Sequence, residues 1–328
     1  MIIAVLGGGS WGTAMALHLT NLGHDVRLYV RDKDKALAII AEGENKHYLA
    51  GVKLNPKLKV SYSLEEVLDR AQLLIGAIPA QLMNDFYKEN HRLLEGVPFV
   101  SLSKGITQKG LMTMEELYRK YFPQGSFAAL SGPSHAEEVA RKVPTALVVA
   151  SSDDELSKLV QREFSDEFIR IYRSSDVQGV ELAGAFKNVI ALVVGMAEGC
   201  GLGDNTKAAI MTRGMAEILR LALKMGARAE TFLGLSGFGD LIVTCTSTHS
   251  RNRRAGELFA QGYSEEEVKE KVGMVIEGLS TLYSVISLAE KYQVTMPIAL
   301  TLEKVLAGEL PINEAMVELM TRDYKEEI

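Results

Sequence analysis

The sequence predicts an α/β protein in two parts: a doubly wound, mostly parallel sheet over residues 1–175 and an all-α domain over residues 176–328. Three observations carry that expectation. Up to about Arg173, short β-branched runs alternate with helix-like stretches, the texture of βαβ units feeding a parallel sheet. Beyond Ser174 this alternation gives way to long segments of helical apolar periodicity. The first strand-like run leads directly into a glycine-rich turn and a helix-like stretch.

The expected strands are Ile2–Leu6, Asp25–Arg31, Gln72–Ile78, Pro98–Leu102, Phe127–Leu130, Ala146–Ala150 and Phe168–Tyr172. Several are continuously apolar, as strands covered on both faces are. The expected helices of the second part are Val177–Glu198, Lys207–Met225, Ser264–Lys271, Ser280–Tyr292 and Met296–Ala307.

Composition narrows the function classes. The 328 residues are 47% hydrophobic and 24% charged, enough for about two cores. A net charge of -6 offers no global attraction for a phosphate backbone, so nucleic acid is set aside as a partner. Cys200 and Cys245 are far apart and outside any metal-ligand spacing, which predicts neither disulfides nor a metal site and suits a reducing cytoplasm. Met1 runs into the first strand without a basic leader, and no apolar run of about 18 residues is apparent, so neither export nor integral membrane association is expected.

Gly7, Gly9 and Gly12 in GGGSWG supply GxGxxG between that first strand and a helix over Ser10–Leu22, the context of a Rossmann-type dinucleotide site. Gly7 permits the tight turn, Gly9 the approach of a pyrophosphate, and Gly12 the close packing of helix on strand. The second strand ends in Arg31 and Asp32. Arg31 favours the 2′-phosphate of NADP, while Asp32 beside it is able to hold the ribose hydroxyl of NAD. Ile78-Pro79-Ala80-Gln81 ends another strand, where open α/β sheets present ligand loops.

Reduction of a ketone by hydride transfer leaves negative charge on oxygen, so the reacting end needs a proton donor and cationic stabilisation. Lys187 lies in ELAGAFKNVIALVVGMAEG, a segment so apolar that an unpaired ammonium there is costly. It is either a site residue, a lysine reaching out to water, or a structural partner of Glu181. SKG at Ser103–Gly105 and SGPSHA at Ser131–Ala136 follow strands and suit anions, with a helix opening at Ser134 as N-cap. GFGDL precedes TSTHSRNRRAG, read as a basic loop in which Ser250, Arg251 and Asn252 cluster with Arg253 and Arg254, apt for a phosphate. His135 and His249 have no partner visible in sequence and are not assigned catalytic work.

In order along the chain, GGGSWGTA, SLSKGI, LSGPSHAEE, ELAGAFKNVIAL, GFGDL, TSTHSRNRRAG and VIEG resemble the motifs of bacterial-type NAD(P)-dependent sn-glycerol-3-phosphate dehydrogenase. The resemblance implies reversible reduction of dihydroxyacetone phosphate to sn-glycerol 3-phosphate, with Lys187 as proton donor or acceptor and the product feeding glycerophospholipid synthesis. It implies that Lys104, Gly132, Ser134, Lys187, Asn188, Asp240, Ser250, Arg251 and Asn252 line the substrate site. It also implies cofactor contacts at Gly7, Gly9, Ser10, Trp11, Gly12, Arg31, Lys104, Ala136, Arg251, Val275 and Glu277. The expected cofactor is NADP or NAD, the expected partner a small phosphorylated molecule, and the expected assembly a homodimer. Two rivals stand beside this reading: a hydroxyacid-type dehydrogenase, and a cofactor-sensing module without turnover, against which Lys104, Lys187 and Asp240 together argue.

Overall fold

The short runs of Ile, Val, Leu and Ala before Ser174 assemble into one eight-stranded sheet in the computed structural model, which describes residues 1–323 and Glu326. In chain order, β1 (Ile2–Leu6) leads to α1 (Ser10–Asn21), β2 (Asp25–Tyr29) to α2 (Lys33–Glu42), β3 (Lys59–Ser61) to α3 (Leu64–Leu68) and β4 (Leu73–Gly76) to α4 (Ala80–Leu94). Next come β5 (Phe99–Ser101) and α5 (Met114–Tyr121), β6 (Phe127–Ser131) and α6 (Ala136–Ala140), β7 (Thr145–Ala150) and α7 (Asp154–Phe164), and finally β8 (Ile169–Ser174).

The strand order is β3-β2-β1-β4-β5-β6-β7-β8. Neighbours are parallel apart from β6 and β7, which pair antiparallel. The inner strands β4, β5 and β6 are buried along their whole length, which is why they read as unbroken apolar runs. Edge strand β8 instead alternates buried and exposed positions over most of its length. Strand β3 was not expected, because Lys59-Val60-Ser61 has one apolar residue; its pairing with Arg27–Tyr29 of β2 makes it a strand. The chain switches direction across the sheet between β1 and β4, and ligands of such sheets bind beyond the carboxyl ends at that point.

The helical part contains α8 (Val177–Gly199), α9 (Asp204–Lys224), α10 (Ala229–Leu233), a π-helical turn (Leu235–Gly239), α11 (Asp240–Thr246), α12 (Arg251–Ala260), α13 (Glu265–Val272), α14 (Glu277–Tyr292), α15 (Pro297–Leu306) and α16 (Ile312–Met320). The five expected helices are present within a few residues of their predicted ends. The basic segment read as a loop is a helix from Arg251 onward, with Ser250 as its N-cap accepting from the Arg253 N–H. By contacts, the chain divides into one unit of Met1–Thr107 with Met112–Glu181, and a second of Gln108–Leu111 with the chain from Leu182 onward.

Helix α8 corrects one expectation, since it holds an 18-residue window of mean hydropathy 1.6, long and apolar enough to cross a membrane. That window is 94% buried inside the protein. Small residues explain why: a Cβ on Gly195 would lie 1.9 Å from the Arg253 carbonyl oxygen, and one on Gly256 would lie 2.1 Å from that of Leu192. The backbones of α8 and α12 therefore touch, and α8 is the core helix of its unit.

Helix α9 fastens α15 through a buried carboxylate. Pro297 occupies the first helical turn and has no N–H, and the next donor, Ile298 N, lies 3.0 and 3.1 Å from the two Glu217 carboxylate oxygens. Burial pushes the Glu217 carboxyl up to about 7, against the hydrogen bond that favours its charged form.

Candidate active site

The nucleotide end is built from three glycines with different duties. Gly7 follows β1 with φ at +124°, and a Cβ there would lie 2.6 Å from the Ala77 carbonyl oxygen just past β4. A Cβ on Gly12 would lie 2.0 Å from the Gly7 oxygen. Both positions are glycine because the chain itself fills the space. Gly9 has nothing within 4 Å of its would-be Cβ, and it caps α1 without a side-chain hydrogen bond. An open approach thus faces the positive end of a 12-residue helix, the cradle a pyrophosphate fits.

Ser10 and Trp11 form the first residues of α1, and Trp11 packs on the core of the sheet with its Nε1 buried and without a protein acceptor. Asn45, which sequence reasoning missed, donates to the Gly8 carbonyl and to Thr13 Oγ1 at 2.9 Å each and so braces the glycine loop. No local signal marks it, because both partners are more than thirty residues away.

Arg31 is exposed just past β2. Asp32 is the N-cap of α2, its Oδ1 accepting from Lys35 N at 3.0 Å, so the acidic residue considered for the ribose is engaged by its own helix. In the same unit, Lys104 Nζ donates to the Gly132 carbonyl at 3.0 Å, which brings the SKG and SGPS segments together. Ser134 is not the N-cap expected of it: its hydroxyl donates to the Gly132 carbonyl at 3.0 Å, and α6 begins at Ala136 behind His135. The helix begins one residue too late for Ser134 to stand at the cap position, which His135 takes without a side-chain hydrogen bond.

In the second unit, Lys187 on α8 is 6% exposed and Asp240 is 1% exposed. Lys187 Nζ lies 2.5 Å from Asp240 Oδ1 and 2.6 Å from Thr244 Oγ1. The Thr244 hydroxyl donates to the Asp240 carbonyl at 2.6 Å, leaving its lone pairs to accept from the ammonium. Asp240 is aimed by the π-helical turn before it, where Gly237 admits no Cβ because the Phe232 carbonyl oxygen would be 2.1 Å away. Thr244 went unremarked in the sequence, although it sits four residues after Asp240 on what proves to be one helix face.

Glu181, the alternative partner considered for Lys187, turns elsewhere. Its carboxylate accepts from the Glu115 N–H at the start of α5, and burial pushes it up to about 8. Cys245, next to Thr244, is raised to about 12 chiefly by burial, with the nearby Lys187 charge opposing, and stays a thiol. The centre is a buried ammonium compensated by a buried carboxylate.

Around it, Asn252 Nδ2 donates to Asn188 Oδ1 at 2.9 Å, and Asn252 Oδ1 accepts from Gly278 N at 2.9 Å. Arg251 is exposed at the first position of α12. Arg253 turns inward, paired with Glu257 at 2.8 Å and donating to the Ser247 carbonyl at 3.1 Å, so the cluster expected to share an anion is divided. Val275 is exposed, and Glu277 opens α14. The structure therefore groups Gly7, Gly9, Ser10, Trp11, Gly12, Arg31, Lys104, Gly132, Ser134 and Ala136 on the first unit. It groups Lys187, Asn188, Asp240, Ser250, Arg251, Asn252, Val275 and Glu277 on the second.

Comparison with known proteins gives a consistent picture. Residues 2–157 match a family model described as the NAD-dependent glycerol-3-phosphate dehydrogenase N-terminus, and residues 176–317 match that of the C-terminus. Glycerol-3-phosphate dehydrogenase [NAD(P)+] of Thermoanaerobacter sp. (strain X514) is 44% identical over 329 residues, covering 100% of this chain and 99% of the relative. The protein of the same name from Carboxydothermus hydrogenoformans is 44% identical, covering 99% of this chain and 98% of its own. The crystal structure of glycerol-3-phosphate dehydrogenase from Coxiella burnetii superposes with a TM-score of 0.95 at 35% identity, covering 98% of both chains.

Proposed function

The chain belongs to the NAD-dependent glycerol-3-phosphate dehydrogenase family, and on that premise we propose that it interconverts dihydroxyacetone phosphate and sn-glycerol 3-phosphate, with reduction as the working direction. The observation that carries the reading is the buried Lys187 ammonium held between Asp240 and Thr244. A ketone that accepts hydride becomes an alkoxide, and a proton donor fixed beside its counter-ion is what that oxygen needs.

The open approach at Gly9 fits a dinucleotide, with Ser10, Trp11, Gly12, Ala136, Val275 and Glu277 as further contacts and Arg31 the group for a 2′-phosphate. Bound there, the nicotinamide supplies or takes the hydride. The chain's own residues do the rest. Lys187 Nζ gives its proton to the forming alkoxide oxygen in reduction and takes it back in oxidation. Asp240 keeps the ammonium charged and oriented. Arg251, exposed at the head of α12 beside Ser250, holds the substrate phosphate by charge-assisted hydrogen bonds. Lys104, Gly132, Ser134 and Asn188 complete the substrate contacts, with the Asn252 amide engaged behind Asn188. Binding energy from the phosphate, remote from the reacting carbon, then orients the carbonyl.

Two free cysteines, one of them buried as a thiol, suit a cytoplasmic enzyme. The product is the phosphorylated glycerol to which acyl chains are esterified, which puts the reaction upstream of glycerophospholipid synthesis. The test is the oxidation of NADPH and of NADH, followed by nicotinamide absorbance, with dihydroxyacetone phosphate and with dihydroxyacetone. Turnover that requires the phosphate supports the proposal. Cofactor binding without turnover moves the chain to a sensing role, and turnover only with 2-oxo acids moves it to hydroxyacid reduction.

A further inference from the structure

Asn188 follows Lys187 on α8, and the two carboxamides at Asn188 and Asn252 stand in series with a backbone donor that has one polarity. Gly278 N–H opens α14 within its first turn, so it has no acceptor inside that helix and can only donate. The oxygen of Asn252 lies 2.9 Å from it and must therefore be the acceptor. That leaves the Asn252 NH2 group facing Asn188, at 2.9 Å, where only an oxygen can receive it. The orientation of both amides follows from the one peptide N–H: Asn188 turns its oxygen to Asn252 and its NH2 group away, onto the turn of α8 that carries Gly184 and Lys187. There the nearest protein acceptor, the Gly184 carbonyl, is 3.5 Å away, at the outer limit of a hydrogen bond.

The arrangement is buried and tightly built. Asn188, Asn252 and Gly278 are all buried, and a Cβ on Gly278 would lie 2.6 Å from the Asn188 carbonyl oxygen and 2.9 Å from Asn252 Oδ1. Both ends of the Asn252 side chain are engaged within the protein, although its sequence position suggested a substrate contact. We propose that Asn252 is a positioning residue: Gly278 N–H orients its amide, and Asn252 in turn holds Asn188 so that Asn188 presents N–H donors, not its carbonyl, to an oxygen of the phosphorylated substrate. The presentation to substrate rests on the function proposed above; the relay itself does not. A polar contact of fixed sign beside Lys187 favours oxygen-rich substrates that accept hydrogen bonds and disfavours a donor at the same place.

The test is Asn252→Asp, which keeps an oxygen for Gly278 N–H but replaces the NH2 facing Asn188 by a second oxygen. Asn188 must then rotate, giving its NH2 to the carboxylate and showing its carbonyl to the substrate. In protein labelled with ¹⁵N only at asparagine, the Asn188 side-chain NH2 signals, identified by their loss in Asn188→Ala, should shift and exchange more slowly with deuterated solvent. With dihydroxyacetone phosphate, kcat should fall roughly tenfold to hundredfold, while the KM for NADPH stays within about twofold. Should Asn252→Asp not fold, Asn252→Ala, Asn188→Ala and the double variant serve instead. The relay predicts a double variant no slower than the slower single one to within about twofold, whereas independent contacts predict losses that multiply.

Unmoved Asn188 signals in Asn252→Asp, or multiplying losses in the cycle, would overturn the relay. The exchange measurement needs no turnover, so it decides the relay even if the unaltered protein fails to reduce dihydroxyacetone phosphate, a failure that counts against the proposed function instead.

Discussion

Lys187 and Asp240 form an ion pair at 2.5 Å, with both side chains buried. This changes what substitution at Lys187 does. Removing one partner of a buried ion pair leaves the other uncompensated, at a cost of about 3–5 kcal/mol, so Lys187→Met should lose both activity and stability. The two losses separate in Lys187→Met/Asp240→Asn. The melting temperature should largely recover in the double variant, because no lone carboxylate remains, while kcat stays roughly 10²–10⁴-fold below the unaltered enzyme for want of a proton donor. Recovery of kcat together with stability would show that Lys187 serves the fold alone. The lysine was legible because an ammonium stands out in so apolar a segment. Its ties to Asp240 and Thr244 were not, since they span 53 and 57 residues and exist only through the packing of α8 against α11.

At the level of elements, periodicity served long segments and failed short ones. Helices α9, α14 and α15 were visible in outline because each carries several turns of apolar spacing. The π-helical turn, α10 and α11 were hidden, being five to seven residues each and so too short to show a helical period. Helix α12 was hidden for another reason: its exposed face is basic and its buried face is made of Asn252, Ala255 and Gly256, which give no apolar stripe. How α9 holds α15 makes a prediction of its own. Glu217, raised from 4.5 to about 7 in the fold, keeps a proton that the unfolded chain releases between those values. Its stabilising contribution is complete below the unfolded value and is lost as pH rises through about 7. Glu181, raised to about 8, acts in the same direction. The melting temperature should therefore fall from about pH 5 to pH 8, and Glu217→Gln, which has nothing to titrate there, should flatten the slope in part. Thermal scans of both proteins in buffers of equal ionic strength read this directly; parallel slopes would remove Glu217 from the account.

At the scale of the whole molecule, the division into a sheet unit and a helical unit was legible from the change of texture at Ser174. The membership of Gln108–Leu111 in the helical unit was not, because nothing in those four residues differs from an ordinary connection. The molecule's net charge of -6 also means that an anionic cofactor is drawn in locally, not globally. At the end of β2 the local charge is Arg31, with Asp32 engaged in capping α2. The carboxylate that would hold the NAD ribose and repel a 2′-phosphate is thus turned to its own helix, and the guanidinium beside it is exposed. A ligand that binds the folded state alone stabilises it by about 2.7 kcal/mol at a hundred times its dissociation constant, so cofactor preference can be read from melting curves. At equal concentrations NADPH should raise the melting temperature more than NADH, and Arg31→Gln should erase the difference by weakening NADPH about tenfold while leaving NADH nearly unchanged. Because Arg31 is exposed, the NADPH advantage should also shrink as salt is raised from about 0.05 to 0.5 M, since the screening length falls well below 10 Å. Equal shifts from the two cofactors in the unaltered protein would mean that the engaged Asp32 releases its cap to serve the ribose, and Arg31 would then have no part in choosing between them.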